Sequence, residues 1–113
     1  MSHDSAHKKA LENIALHPEF FGIKNVTASV IEANLKDSHR LISQPDVIFY
    51  CSDGNLYILE YKGNGNGELM ARAQEQLTRT VYWFARYTHI PPERIHTKIV
   101  TGEELKKQFP TRK

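Results

Sequence analysis

Residues 45–62 read PDVIFYCSDGNLYILEYK, and this stretch decides the fold. It contains two apolar, aromatic-rich runs, Asp46–Cys51 and Asn55–Lys62. The residues between them, Ser52-Asp53-Gly54, are typical of a tight turn. Two such runs on either side of a short turn predict a β-hairpin.

The length of the hairpin loop decides which side chains share a face. Alternation along the second strand puts Glu60 and Lys62 on the same side. A two-residue loop would place Asp46 on the opposite side, whereas a three-residue loop would place it directly across from Glu60. Gly54 at the third loop position favours the longer loop, because glycine adopts positive φ without strain. The sequence therefore predicts that two carboxylates and an ammonium group meet at the mouth of the hairpin.

This trio suggests phosphodiester chemistry. Asp46 and Glu60 are hard oxygen ligands of the kind that Mg²⁺ or Mn²⁺ prefers. A cation there would lower the pKa of a bound water and neutralise charge on a phosphate. Lys62 would orient the attacking water or stabilise the transition state. The competing interpretation is a surface hairpin that ends in an ordinary Glu–Lys pair, since the ExK pattern is common.

The flanking segments predict an α/β fold with a mixed sheet. In chain order they are a helix over 5–16, a strand over 25–35, the hairpin, a helix over 67–88, a strand over 95–100 and a final helix opened by Thr101-x-x-Glu104. A shift in apolar phase suggests a bulge in the first strand. An antiparallel meander followed by a helical crossover should leave the last strand parallel to a neighbour.

Residues 45–62 resemble the PD-(D/E)xK nuclease superfamily, the restriction-endonuclease-like proteins that include archaeal Holliday-junction resolvases. Pro45-Asp46, thirteen intervening residues and Glu60-Tyr61-Lys62 match its motif. The resemblance extends over about residues 5–100, because the predicted element order matches the family's αβββαβ core, a mixed β-sheet flanked by helices. It implies catalytic roles for Asp46, Glu60 and Lys62, with Asp46 and Glu60 as ligands of Mg²⁺ or Mn²⁺.

The resemblance also suggests two supporting residues. Family members often carry an acidic residue on the first helix, and Glu12 is the candidate, with Glu32 as its rival. Many carry a glutamine on the helix after the lysine strand, and Gln76 fits that place better than Gln74. The tyrosine often found four residues later is Thr80 here, which leaves the subfamily open.

The resemblance therefore predicts a metal-dependent endonuclease that hydrolyses DNA, with branched or otherwise structured DNA as the expected substrate. The alternative is a non-catalytic nucleic-acid-binding or assembly module built on the same fold. The chain has 113 residues, which predicts one domain over 1–113 and leaves little surface for substrate recognition without a partner.

Composition excludes several other classes. With 40% hydrophobic and 25% charged residues, the chain is neither disordered nor fibrous. A single cysteine cannot form an internal disulfide, and Cys51 is expected to be a buried, inert thiol. The net charge of +2 permits nucleic-acid binding without requiring it. The glycine-rich segment 63–67 matches neither nucleotide-loop pattern, so no nucleotide cofactor is expected. The absence of a signal-peptide pattern or a long apolar run predicts a soluble, cytoplasmic protein without a membrane partner.

The long predicted helix carries two further sets of residues. Its aromatic residues beside the apolar stripe are expected either to form a homodimer interface or to cover the sheet; they are Tyr82, Trp83 and Tyr87. A homodimer would supply the two sites that cutting two strands requires. Three arginines spaced by seven either contact phosphates or belong to a solvated, ion-paired face, which is the favoured interpretation; they are Arg72, Arg79 and Arg86.

Overall fold

The computed structural model describes residues 2–64 and 66–109. In this part of the chain the helices are α1 (Ser2–Leu16), α2 (Gly67–Tyr87) and α3 (Gly102–Gln108). The strands are β1 (Val26–Ile31), β2 (Leu35–Asp37), β3 (Arg40–Ser43), β4 (Val47–Cys51), β5 (Leu56–Lys62) and β6 (Ile95–Thr101). Two short 3₁₀ helices cover Pro18–Phe21 and Pro92–Arg94.

The central hairpin has the predicted three-residue loop. β4 and β5 are antiparallel, with Val47 opposite Leu59 and Phe49 opposite Tyr57. Gly54 has a φ of 89°, the left-handed conformation that favours glycine at this position. The register continued by one residue beyond the paired strands puts Asp46 opposite Glu60, as the sequence predicts.

The main sheet has the order β1-β4-β5-β6 and is mixed. β1 and β5 are both antiparallel to β4, whereas β6 is parallel to β5. Helix α2 makes the crossover between these parallel strands, as predicted. The protein is thus a mixed α/β fold.

The predicted strand over 25–35 is wrong in its second half. β1 ends at Ile31, and Glu32 adopts a φ of 55°, which turns the chain out of the sheet. The following residues form a separate two-stranded sheet, β2 with β3, that is absent from the prediction. Its strands are only three and four residues long and bury one residue each, Leu35 and Ser43, so they carry no alternating pattern. The hairpin folds because Leu35 packs into the apolar cluster beneath α2.

The bulge in β1 is present, but not where the apolar phase shifts. Val26 pairs with Cys51 and Ala28 with Tyr50, so Thr27 is the extra residue. From Ser29 to Ile31 the pairing with β4 is regular. The phase shift after Val30 instead accompanies the end of β1, a strand whose side chains are mostly exposed.

The core has two layers, one on each face of the main sheet. Helix α1 buries Leu11 and Ile14 completely. They pack with residues of β4, β5, β6 and α3, among them Val47, Phe49, Cys51, Leu59, Val100 and Leu105. On the other face α2 buries residues against alternate positions of β4 and β5, and this cluster includes Ile48, Leu56, Ile58, Leu77 and Phe84. The Cys51 thiol is buried, as expected, which raises its pKa.

Helix α3 begins at the predicted cap and lies very close to the end of β5. The Thr101 hydroxyl accepts a hydrogen bond from the Glu104 N–H at 3.1 Å, and the Glu104 carboxylate pairs with Lys98 at 3.2 Å. Gly102 opens the helix, and a Cβ there would lie 2.5 Å from the Gly63 carbonyl oxygen. Only glycine lets α3 approach the backbone that follows Lys62.

We expect Gly102→Ala to destabilise the fold by about 1–3 kcal/mol, because the clash involves backbone that has no rotamer to change. Gly67→Ala is the matched control, since a Cβ at the start of α2 meets nothing within 4 Å. It should be neutral or stabilise by up to about 1 kcal/mol. Urea unfolding measures both changes, and equal stability of the two variants would contradict the close approach of α3.

Candidate functional site

Two hydrogen bonds between backbone and carboxylate close the mouth of the β4–β5 hairpin. The Asp46 N–H donates to Glu60 Oε2 at 3.2 Å, and the Tyr61 N–H donates to Asp46 Oδ2 at 2.7 Å. We call this reciprocal pair the carboxylate clasp. It begins where the backbone pairing of β4 with β5 stops, at Val47. The clasp fixes one oxygen of each carboxyl group and leaves the second oxygen for other contacts.

Both carboxyl groups of the clasp are buried. Glu60 is 2% exposed and Asp46 is 9% exposed. Burial disfavours the charged form, and it is the main reason why the pKa of each group is raised. The neighbouring Asp46 charge adds to this effect and raises the pKa of Glu60 to about 8. Without a cation, Glu60 therefore retains a proton at neutral pH.

Lys62 lies on the same face of β5 as Glu60, two residues further along. Its positive charge opposes the increase in the pKa of both carboxyl groups of the clasp. The structure thus brings together the three residues predicted from the sequence, and it does so through the predicted loop.

Gln76 reaches the clasp from the third turn of α2. Its side-chain amide donates to the Gln44 carbonyl at 2.9 Å, which ties α2 to the segment just before Asp46. Gln76 also favours the ionised form of Glu60 and so opposes the increase in its pKa. Gln74 is exposed on the same helix, so the preference for Gln76 agrees with the geometry.

Glu12, the candidate on α1, is not brought to the clasp: its side chain is exposed, and in residues 2–64 and 66–109 it forms no hydrogen bond or ion pair with Asp46 or Glu60. His7 approaches instead: its Nε2 lies 3.8 Å from Asp46 Oδ1, and its ring centroid lies 5.9 Å from that of Tyr61. The sequence contains the signal for this. His7 lies one turn before Leu11 and two before Ile14, on the stripe that faces the sheet.

Glu32, the rival third carboxylate, is adjacent to Asp46 through its backbone. Its N–H donates to the Asp46 carbonyl at 2.9 Å, which extends the pairing of the two segments past the end of β1. Its positive φ ends the strand at this point. Within residues 2–64 and 66–109, the Glu32 carboxylate forms no hydrogen bond with Asp46 or Glu60.

The donor set of the clasp suits a divalent cation with two protein ligands. Asp46 and Glu60 supply hard oxygens of the type that Mg²⁺ and Mn²⁺ prefer, and a buried pair of acids gains from a neutralising charge. Within residues 2–64 and 66–109, no group of three or more His, Cys, Asp or Glu side chains is arranged to hold a metal. Mg²⁺ takes six ligands, so a cation held by Asp46 and Glu60 would keep positions open for water and for a phosphate oxygen.

Comparison of the chain with protein-family models, with curated proteins and with solved structures finds no match. None of the helices in the described part of the chain is both long and apolar enough to cross a membrane.

The raised pKa of Glu60 gives a pH-dependent stability with a defined sign. Between about 4.5, its ordinary pKa, and about 8, the folded protein holds a proton that the unfolded chain has lost. In EDTA the stability contributed by Glu60 should therefore decrease as the pH rises from 5 to 8.5. Glu60→Gln should remove this decrease and be more stable than the parent at pH 8.5 by about 1–3 kcal/mol.

Urea unfolding at both pH values measures the difference in free energy of unfolding between parent and variant. The contributions of other titrating groups cancel in this difference. Glu93→Gln is the control, because Glu93 is exposed in the connection before β6 and its loss should leave the pH dependence unchanged. A Glu60→Gln variant that is less stable than the parent at pH 8.5 would contradict the assignment.

Proposed function

We propose that this protein is a divalent-cation-dependent endonuclease that hydrolyses phosphodiester bonds in DNA, built on the restriction-endonuclease-like fold that its motif resembles. Structured or branched DNA is the proposed substrate class. The single observation that carries the proposal is the carboxylate clasp with Lys62 beside it. This arrangement buries two acids at the end of a hairpin, where an ordinary surface pair would remain solvated.

Asp46 and Glu60 would hold Mg²⁺ or Mn²⁺ through the oxygens that the clasp leaves free. When bound, the cation supplies charge neutralisation at the phosphate and activation of water. The two backbone N–H groups hold the carboxylates in place without help from mobile side chains, which preserves their geometry in the absence of the cation. Gln76 restrains the chain on the α2 side by its bond to the Gln44 carbonyl.

Lys62 would act on the reacting phosphate directly. In hydrolysis the water oxygen forms a new bond to phosphorus, the bridging P–O bond breaks, and negative charge grows on the phosphate oxygens. An ammonium fixed on a strand stabilises this charge more in the transition state than in the ground state. Lys62 is half-buried next to Glu60, so its charge is less screened than that of an exposed lysine.

His7 would position Asp46. Its imidazole lies 3.8 Å from Asp46 Oδ1, the oxygen opposite the one that accepts from Tyr61. We assign it no further role, because the polar contact that it makes is with this carboxylate. The homodimer predicted from the sequence remains a prediction; it would supply the second site for cutting a second strand.

The test compares Lys62→Ala with the parent protein on linear, nicked and four-way DNA, with Mg²⁺, Mn²⁺ or EDTA. The parent should cleave at least one substrate with a metal and none in EDTA. Lys62→Ala should reduce the cleavage rate by about 10²–10³-fold while DNA binding and thermal stability change little. Asp46→Asn keeps an acceptor for the Tyr61 N–H, removes the charge and should abolish cleavage.

Lys24→Ala is the matched control. Lys24 is exposed and adjoins Asn25, whose carbonyl accepts from the Ser52 N–H at the far end of the β4–β5 hairpin. This variant removes one positive charge away from the clasp and should cleave like the parent. If the purified parent cuts no substrate with either metal, and Lys62→Ala only weakens DNA binding, the enzyme proposal fails and the non-catalytic binding module takes its place.

A further inference from the structure

A second cleft lies between the β2–β3 hairpin and the C-terminal half of α2. Its volume is about 310 Å³, near the lower end of small-molecule pockets. Its lining includes Asp37, Arg40, Tyr82, Trp83, Arg86 and Tyr87. None of them takes part in the carboxylate clasp.

The aromatic side of the cleft is partly fixed and partly exposed. The Trp83 indole N–H donates to the Lys36 carbonyl at 2.8 Å, so this ring is held against the hairpin. Tyr87 lies 5.3 Å from it between ring centroids, with the planes tilted by 41°. Tyr82 and Tyr87 are 63% and 43% exposed. The cleft therefore presents two amphipathic tyrosine rings to solvent beside a fixed indole, and exposed aromatic surface of this kind is a common feature of binding sites.

The charged side of the cleft is positive. Arg40 and Arg86 both line it, against a single carboxylate from Asp37. The Arg86 guanidinium lies 5.5 Å from the centroid of the Tyr87 ring, and its Nε donates to the Tyr87 hydroxyl at 3.3 Å. Arg86 is thus held at the cleft by its aromatic neighbour, unlike Arg72, which pairs with Glu68 at 3.0 Å on the exposed face of α2. The ion-paired interpretation fits Arg72, whereas Arg86, which is also exposed, is hydrogen-bonded to Tyr87.

One flank of α2 connects this cleft to the carboxylate clasp. Gln76, Thr80 and Trp83 follow one another at helical spacing, and each makes a hydrogen bond to the segment that contains the β2–β3 hairpin. The partner of Gln76 is the Gln44 carbonyl, beside the clasp, and that of Trp83 is the Lys36 carbonyl, beside the cleft. Gln76 and Trp83 are seven residues apart, which is about 10 Å along the helix. The clasp and the cleft are therefore within reach of one short stretch of an extended nucleic-acid strand.

We propose that this cleft binds one unpaired nucleotide of a nucleic-acid strand, with the base stacked on the exposed tyrosine rings and a phosphate paired with Arg40 and Arg86. Aromatic rings beside guanidinium groups are the combination by which proteins hold single strands, since every base has a face to stack and every phosphate a charge. The inference rests on the proposed function, because it takes the strand that enters the cleft to be the one that reaches Lys62.

A nucleotide fits this cleft better than a second copy of the chain does. In a two-fold dimer centred here, the cleft would face its own copy, which brings four arginine side chains together with only two aspartates. Like charges brought together in an interface disfavour association. A phosphate removes this difficulty, because it supplies the negative charge that Asp37 alone does not balance.

The test is intrinsic fluorescence in EDTA, without cleavage, and Trp83 is the single tryptophan of the chain. A short single-stranded DNA should quench Trp83 fluorescence, and a blunt duplex of the same sequence should quench it less. Tyr82→Ala should weaken binding of the single strand by about tenfold, and Tyr82→Phe should restore it, because stacking needs the ring and not the hydroxyl. Arg86→Gln should reduce the salt slope by about 0.7, while the control Arg72→Gln should leave affinity nearly unchanged.

The inference is overturned if the single strand leaves Trp83 fluorescence unchanged, or if Tyr82→Ala binds it as tightly as the parent. It is also overturned if sedimentation velocity shows a dimer that Tyr82→Ala dissociates, since the face would then belong to a second copy. Quenching of Trp83 in a protein that never cleaves DNA would support the cleft and reject the nuclease. Metal-dependent cleavage, without any effect of substitutions at Tyr82 or Arg86 on binding, would support the nuclease and reject the nucleotide site in the cleft.

Discussion

The carboxylate clasp is the constraint on which the rest of the site depends. At the point where β4 and β5 stop exchanging backbone hydrogen bonds, two acidic side chains become the acceptors for the next two N–H groups. The end of the β4–β5 pairing and the candidate active site are therefore the same structure. Buried N–H groups require partners, so the acids have a structural reason to be there as well as a chemical one. A substitution that removes one of these acceptors would leave a backbone N–H group without a partner and would also change the chemistry of the candidate site.

The clasp also holds two acidic groups where their charged forms are poorly solvated. Burial and mutual repulsion raise the pKa of Glu60 to about 8, and the charge of Lys62 offsets only part of this effect. A site built in this way is less stable than an apolar one, which is the usual compromise between stability and function. The two core layers on either side of the sheet offset this loss of stability. Leu11, Ile14 and Ile58 are completely buried in these layers.

Much of the fold could be predicted from local patterns, and the errors have physical causes. Gly54 determined the loop length, the loop length determined the register, and the register brought Asp46 across from Glu60. The β2–β3 hairpin could not be predicted in this way, because its packing against α2 is tertiary and its strands are too short to show a pattern. Glu12 was inferred from a family resemblance, whereas the apolar stripe of α1 points to His7. Helical phase was the better guide, since it reports which side of α1 faces the sheet.

The bulge at Thr27 has a consequence for how copies of the chain avoid one another. β1 is an outer strand of the four-stranded sheet in the described part of the chain, so one row of its backbone groups has no neighbouring strand in that sheet. A flat outer strand is a template on which further chains can add, as in amyloid growth. An extra residue twists the strand and interrupts the regular spacing of its donors and acceptors. The bulge therefore disfavours edge-to-edge aggregation at the β1 edge of the sheet.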